Sequence, residues 1–223
     1  MPAETFTSTS ADVADRVRTT FGDTSGSQIT DAMIIRWIND GQLEIINNNS
    51  VLKATKYTDY LAGQSEYTFP TDAVQYIEAI YVSGRPIKNV SPQEFREYIL
   101  AQDPTLEAVA EFPNIWYERA GVITFYPKGD TTSINGLKLE YVKSPTAITS
   151  ISANQLLSIP DRYLNHLVDY VLAQALEMDE NYTAADRIRS HFREGLDRMT
   201  LKENLSQIDY YPSILPDPED YHV

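Results

Sequence analysis

Ile159-Pro160-Asp161-Arg162-Tyr163 leads into Asn165-His166-Leu167-Val168-Asp169-Tyr170-Val171-Leu172-Ala173-Gln174-Ala175. After the break Asp179-Glu180-Asn181-Tyr182 comes Ala184-Ala185-Asp186-Arg187-Ile188. This stretch decides the fold. Pro160 suits the opening of a helix, because the N–H it lacks is one that a first turn leaves unpaired. Leu164, Leu167, Val168, Val171, Ala175 and Met178 recur at helical spacing, and Tyr170, Leu172 and Leu176 make the opposite side apolar too. A helix apolar on both sides belongs at the centre of a bundle. The next helix, predicted over about residues 183–205, carries Ala185, Ile188, Phe192, Leu196 and Met199 on one stripe, so it covers a neighbour with one face only. Beyond Gln207 come Pro212, Pro216 and Pro218 with Asp209, Asp217, Glu219 and Asp220, a composition that predicts an extended arm. Two packed helices with a loose arm suit a subunit that grips neighbours.

Neither helix of this pair can cover its own apolar face, so partners are sought at the other end of the chain. Residues 1–9 are polar and read as loose. Val13, Val17 and Phe21 lie four apart and predict a short helix over residues 10–21. Gly22-Asp23-Thr24-Ser25-Gly26-Ser27 is a loop. It lacks a following Lys and a leading strand, so a phosphate-binding loop is not supported. A helix is predicted over residues 30–47, with Thr30 as N-cap and Ile29 and Ile34 placed as a hydrophobic staple. Its stripe is Ile34, Ile38, Gly41 and Ile45, widened by Ile35, Trp37 and Ile46, and Asn47-Asn48-Asn49 is a polar stop. A glycine costs roughly 1 kcal/mol against alanine inside a helix, so Gly41 implies a close neighbour.

Between these ends the texture changes to tyrosine and β-branched residues cut by turn signals. Strands 56–61 and 66–69 flank Ala62-Gly63-Gln64-Ser65 as a predicted hairpin. A strand over residues 75–82 precedes Ser83-Gly84-Arg85-Pro86, and strands 115–118 and 122–126 flank Arg119-Ala120-Gly121. Leu137, Leu139 and Tyr141 alternate with Lys138 and Glu140. An antiparallel sheet or small barrel of about five or six strands follows. One helix interrupts it: Ser91 and Glu94 form a capping box, Pro92 takes the first helical position, and Val90 with Phe95 makes a staple. It runs to about Gln102 and resembles a crossover between two hairpins. Residues 143–158 read as a linker-like return. The fold class is α+β: a helical bundle from residues 1–51 and 151–205, an inserted antiparallel β-region over 52–150, and an arm over 206–223.

Composition narrows the chemistry. The chain has 223 residues, 42% hydrophobic, and no cysteine. Disulfides, thiolate metal sites and cysteine nucleophiles are excluded together. No apolar run is long enough to span a bilayer, and no secretory signal is visible. The Asn-x-Ser/Thr matches at Asn48, Asn89, Asn181 and Asn204 read as chance. A net charge of −14 argues against a general nucleic-acid-binding surface. His166, His191 and His222 form no helical metal pair. The acids Glu177, Asp179 and Glu180 read as solvated surface rather than a glycosidase pair. Most of the 15 tyrosines fall in the strands, which fits core and interface better than a stacking platform. Arg187, Arg189, Arg193, Arg198 and Lys202 stand out in an acidic chain. The reading favoured is contact between this helix and the acidic surface of a neighbouring copy, with pairing to Asp186, Glu194, Asp197 and Glu203 as the plainer alternative. No catalytic, cofactor or metal residue is assigned.

Three segments resemble a known family. Arg36-Trp37-Ile38-Asn39-Asp40-Gly41-Gln42-Leu43-Glu44-Ile45-Ile46 is similar to a helix of tailed-phage head-to-tail adaptor proteins. Ile159 to Leu176 and Tyr182 to Leu196 resemble the family's later helix pair, in the same order. Gly41 stands where the family pattern often has Ala. The resemblance implies a virion structural protein with no cofactor, at the neck between capsid and tail and made in the host cytoplasm. It would form a homo-oligomeric ring, commonly a dodecamer, between the portal protein and the tail or nozzle. DNA would pass through without sequence-specific binding, and no membrane is involved. A tail completion or terminator ring is the alternative, and a soluble hydrolase with a carboxylate pair the third. On this reading Tyr210, Tyr211, Ile214, Leu215 and Tyr221 are the arm's partner-binding anchors. Arg187, Arg189, Arg193 and Arg198 make charge contacts between copies.

Overall fold

The computed structural model describes residues 5–99 and 108–208, without the side chains of 75–79, 98 and 202–208. The chain divides into two compact units, Met1–Asn49 with Ala147–Val223, and Ser50–Thr146.

The helical unit joins both ends of the chain. α1 (Ser10–Phe21) starts in a reciprocal cap: Thr9 Oγ1 accepts from the Asp12 N–H, and an Asp12 carboxylate oxygen accepts from the Thr9 N–H at 2.8 Å. It stops at Gly22, whose φ of 89° lets its N–H turn back to the Arg18 carbonyl. α2 (Asp31–Asn49) follows, with Ile29 and Ile34 both fully buried as a staple requires. A short 3₁₀ turn, Asp161–Tyr163, then leads into α4 (Leu164–Met178), and α5 (Tyr182–Ile208) completes the unit. α4 packs against α1, α2 and α5, the central position its two-sided apolar pattern predicts. Gly41 and Gly195 make that packing close. A Cβ on Gly41 would lie 2.6 Å from Leu167 Cδ1 and 2.8 Å from Tyr170 Cδ1, and one on Gly195 would strike the His166 ring.

Several expectations need correction here. Residues 5–9 are not loose: the Leu157 N–H bonds to the Ser8 carbonyl and the Ser10 N–H to the Gln155 carbonyl. The return over 143–158 is not a mere linker, because Ile148, Ile151 and Leu157 are buried. The asparagine stop is the last turn of α2, and Asn49 is buried, donating to Thr200 Oγ1 at 2.8 Å. Met178, counted as core, is 40% exposed, since it closes α4 beside the turn at Asp179.

The β unit holds β1 (Lys53–Tyr60), β2 (Glu66–Thr68), β3 (Ala73–Val82), β4 (Arg85–Asn89), β5 (Val109–Ala110), β6 (Ile115–Arg119), β7 (Val122–Tyr126), β8 (Lys128–Gly129) and β9 (Ser133–Lys143). Seven of these make a sheet in the order β1-β9-β3-β4-β6-β7-β2. Its ends curl toward each other, for Tyr60 on one edge strand stacks on Tyr67 of the other at 5.9 Å. Leu137, Leu139 and Tyr141 of β9 face the core with Trp116, Ile123 and Phe125.

The β6–β7 hairpin matches expectation; the turn signal after β3 closes a second hairpin, but the turn is Ser83-Gly84 alone, and Arg85 and Pro86, read as part of it, belong to β4. Ser83-Gly84 and Ala120-Gly121 have φ of 49° and 80°, and 52° and 78°. Positive φ at both central residues fits the right-handed twist of the flanking strands. The hairpin predicted across 62–65 does not form. β1 pairs with β9 and β2 with β7, because the loop spends its donors elsewhere: the Gly63 N–H on the Gly129 carbonyl and the Ala62 N–H on Thr132 Oγ1. The sheet is also mixed rather than antiparallel, since β4 and β6 run parallel, as do β5 and β8 in a separate pair. A parallel neighbour requires a crossover. The capped segment supplies its start: α3 (Pro92–Glu94) is one turn, followed by a wider π-type turn over Phe95–Ile99. Residues 100–102 of that predicted helix lie outside the described residues.

Candidate interaction surfaces

The outward face of α5 is of mixed sign rather than basic. Arg187 and Arg193 are exposed, and so are Asp186, Glu194 and Asp197. Arg189 points the other way and bonds Glu177 on α4 at 2.6 Å. The guanidinium's hydrogen bond holds the Glu177 carboxyl below the usual carboxylate range. Arg198 pairs with Glu194 one turn back, at 3.4 Å. Arg187 and Arg193 have no ion-pair partner among the described residues. The sequence could not separate these roles, because all four arginines occupy one helix and their partners depend on how α4 and α5 pack. The arm residues Tyr210, Tyr211, Ile214, Leu215 and Tyr221 lie outside the described residues, as does His222.

His166 and His191 meet across α4 and α5. They line an open cavity of about 260 Å³ with Glu194, Gly195, Arg198 and Met199. His191 Nδ1 lies 2.8 Å from an Asp169 carboxylate oxygen. His166 packs on Gly195 with a buried, unpartnered Nδ1, and burial pushes its pKa down while Asp169 opposes the shift. Among the described residues no group of three His, Cys, Asp or Glu side chains is placed to hold a metal ion. Glu177 is tied to Arg189, while Asp179 and Glu180 are exposed at the α4–α5 corner.

The polar groups that matter to the helical unit are structural, and sequence reading passed over them. Asp23 in the loop after α1 accepts N–H bonds from Ser27, Gln28 and Ile29 at 2.8–3.0 Å. The loop amides that a phosphate would need are thus used by the chain's own carboxylate. These bonds, that from Ile29 foremost, hold the Asp23 pKa well below the carboxylate range. Asp161 does the same for the segment before α1. Its carboxylate accepts from the Thr7 hydroxyl at 2.7 Å, the Thr7 N–H at 2.9 Å and the Ser8 N–H at 2.8 Å, which also lowers its pKa. Asn39 brackets Ile148, accepting from its N–H at 2.8 Å and donating to its carbonyl at 3.0 Å. Buried Gln42 accepts from the Ser158 N–H at 2.7 Å. Asn39 and Gln42 flank Gly41 in the very segment that resembles the adaptor helix. Its pattern therefore encodes how α2 meets α4 and the return segment. No helix among the described residues is long and apolar enough to cross a membrane.

The family model described as SU10 adaptor protein matches residues 8–214, nearly the whole chain. No curated protein matches the sequence. The chain belongs to the SU10 adaptor protein family, a family of phage adaptors and not of enzymes.

Proposed function

We propose that this member of the SU10 adaptor family assembles with copies of itself into a ring, a dodecamer, at the neck of the virion. The ring joins the portal protein on one side to the tail or nozzle protein on the other and encloses the channel through which DNA leaves. The observation that carries this reading is the family match over residues 8–214. The mixed-sign outer face of α5 supports it, because exposed Arg187 and Arg193 are free to meet acids on a neighbour. The acidity of the chain supports it too. Twelve copies at −14 each carry −168, and acidic walls repel a polyanion and let it slide rather than grip it. That repulsion acts over a screening length of about 8 Å at physiological salt.

The residues of the arm are the proposed docking anchors, with Tyr210, Tyr211, Ile214, Leu215 and Tyr221 as its apolar contacts. The test is the native mass of the full chain, alone and mixed with portal protein. A closed oligomer that binds portal is expected. A chain that stays monomeric in both, or that co-purifies with tail-tube protein and not with portal, overturns the assignment.

A further inference from the structure

The sheet of the β unit ends on β1, and the first half of that edge is open. The Lys143 N–H bonds to the Leu52 carbonyl at 2.8 Å, and the register continues Ala54↔Tyr141, Thr55↔Glu140, Lys56↔Leu139, Tyr57↔Lys138. In an antiparallel pair, residues that exchange both bonds alternate with residues that exchange none. Ala54 and Lys56 therefore bond to β9. The N–H and C=O of Thr55 and Tyr57 point away from the sheet, where β1 has no further strand among the described residues. Such an edge is a template for another strand.

The side chains around it define what would fit. Lys53 and Lys56 are exposed on an edge whose first acid is Asp59, in a chain that is otherwise acidic. Tyr57, 57% exposed, lies in register with Lys138 of β9 and Tyr81 of β3, and the Lys138 ammonium, bonded to Glu140, sits 4.8 Å from the Tyr81 ring centre. The outer face beside the free edge thus carries Lys53, Tyr57 and Lys138, with one acid, Glu140, in register with Thr55 and bonded to Lys138, while Lys56 projects from the other face of the edge strand. Its complement is an acidic, proline-containing strand.

Residues 209–223 have that composition. They carry Asp209, Asp217, Glu219 and Asp220, no Lys or Arg, and prolines at 212, 216 and 218. Proline bars helix and favours extended backbone, and it is tolerated in a strand added at an edge. Between Pro212 and Pro216, Ser213, Ile214 and Leu215 each carry the backbone N–H that proline lacks. At about 3.3 Å per residue the segment reaches roughly 50 Å, far enough to leave its own subunit. We propose that the open edge of β1 receives residues 209–223 of a second copy of this chain as an added strand. This rests on the ring proposed above: docking within one copy would bury the arm and leave it joining nothing.

The absence of cysteine makes the test clean. Full-length Thr55→Cys and, separately, full-length Tyr211→Cys, Ser213→Cys and Leu215→Cys are mixed in pairs under mild oxidation, and the assembly is checked by native mass. A disulfide between the two different variants, identified by peptide mass, is expected for at least one arm position. It should fall about tenfold when Lys53→Glu and Lys56→Glu are added, through lost charge complementarity. If rings form but no such disulfide appears, or if it appears only when both cysteines share one chain, the edge assignment is overturned and the ring stands. If the unmodified chain forms no assembly with or without portal, the ring itself is overturned, and the edge assignment with it.

Discussion

Gly41 shows what one missing methyl does. α2 approaches α4 so closely at this point that any side chain must displace Leu167 and Tyr170. Leu167 can yield at its tip; the Tyr170 ring is held by Phe192 at 5.3 Å and yields less. Gly41→Val should cost about 1–3 kcal/mol through overpacking, read as a lower urea midpoint at unchanged slope. An unchanged midpoint would mean that the two helices separate freely there. Asp161 acts through charge instead. Its folded pKa lies below its ordinary value, so the unfolded chain binds the proton more readily than the folded one. The stability it contributes is whole above about pH 4 and is lost as pH falls through the acid range; Asp23 behaves alike. Melting temperature followed from pH 7 downward should show an acid limb that is shallower in Asp161→Asn, together with a lower plateau near neutrality. Parallel curves would rule out this carboxylate as a source of acid sensitivity.

At the scale of elements, the return segment depends on α2. Asn39 supplies both a donor and an acceptor to Ile148, as a neighbouring strand would. Asn39→Leu leaves both backbone groups without partners and should cost about 1–3 kcal/mol. It should also raise amide exchange at residues 147–150 ahead of global unfolding. If exchange there follows only global unfolding, the bracket is not what holds the segment. The helices were legible because each signal is local. The Ser91–Glu94 box, the Ile29–Ile34 staple and the two-sided face of α4 lie within a few residues of their effects. The β1–β9, β2–β7 and β4–β6 pairings were not legible, since each joins residues far apart in sequence. The loop at 62–65 carries hairpin-like turn residues while its amides bond to Gly129 and Thr132. Asn39, Gln42 and Asp161 were missed for the same reason: a polar residue in a helical pattern gives no sign that its partner lies over a hundred residues away.

At the scale of the molecule, the arginines of α5 separate folding from assembly. Arg189 is matched within the chain to Glu177, half-buried between α4 and α5, so Arg189→Ala removes a tie between two core helices. It should lower the melting temperature, while the mass of whatever folds stays unchanged. Arg187 and Arg193 are exposed and have no ion-pair partner among the described residues, so no described contact of the fold draws on their charge. Arg187→Glu with Arg193→Glu should shift stability by no more than about 0.5 kcal/mol. In a ring, however, the same change recurs at every contact between copies. A single exposed pair is worth about 0.2–1 kcal/mol, and reversal turns that attraction into repulsion at each interface at once. Sedimentation of the double variant should therefore show smaller species at physiological salt. Raising the salt should recover part of the assembly, because screening weakens repulsion between exposed charges. Unaltered assembly at low and high salt would place the contact between copies elsewhere than the outward face of α5. A fall in melting temperature equal to that of Arg189→Ala would show that these two residues serve the fold after all.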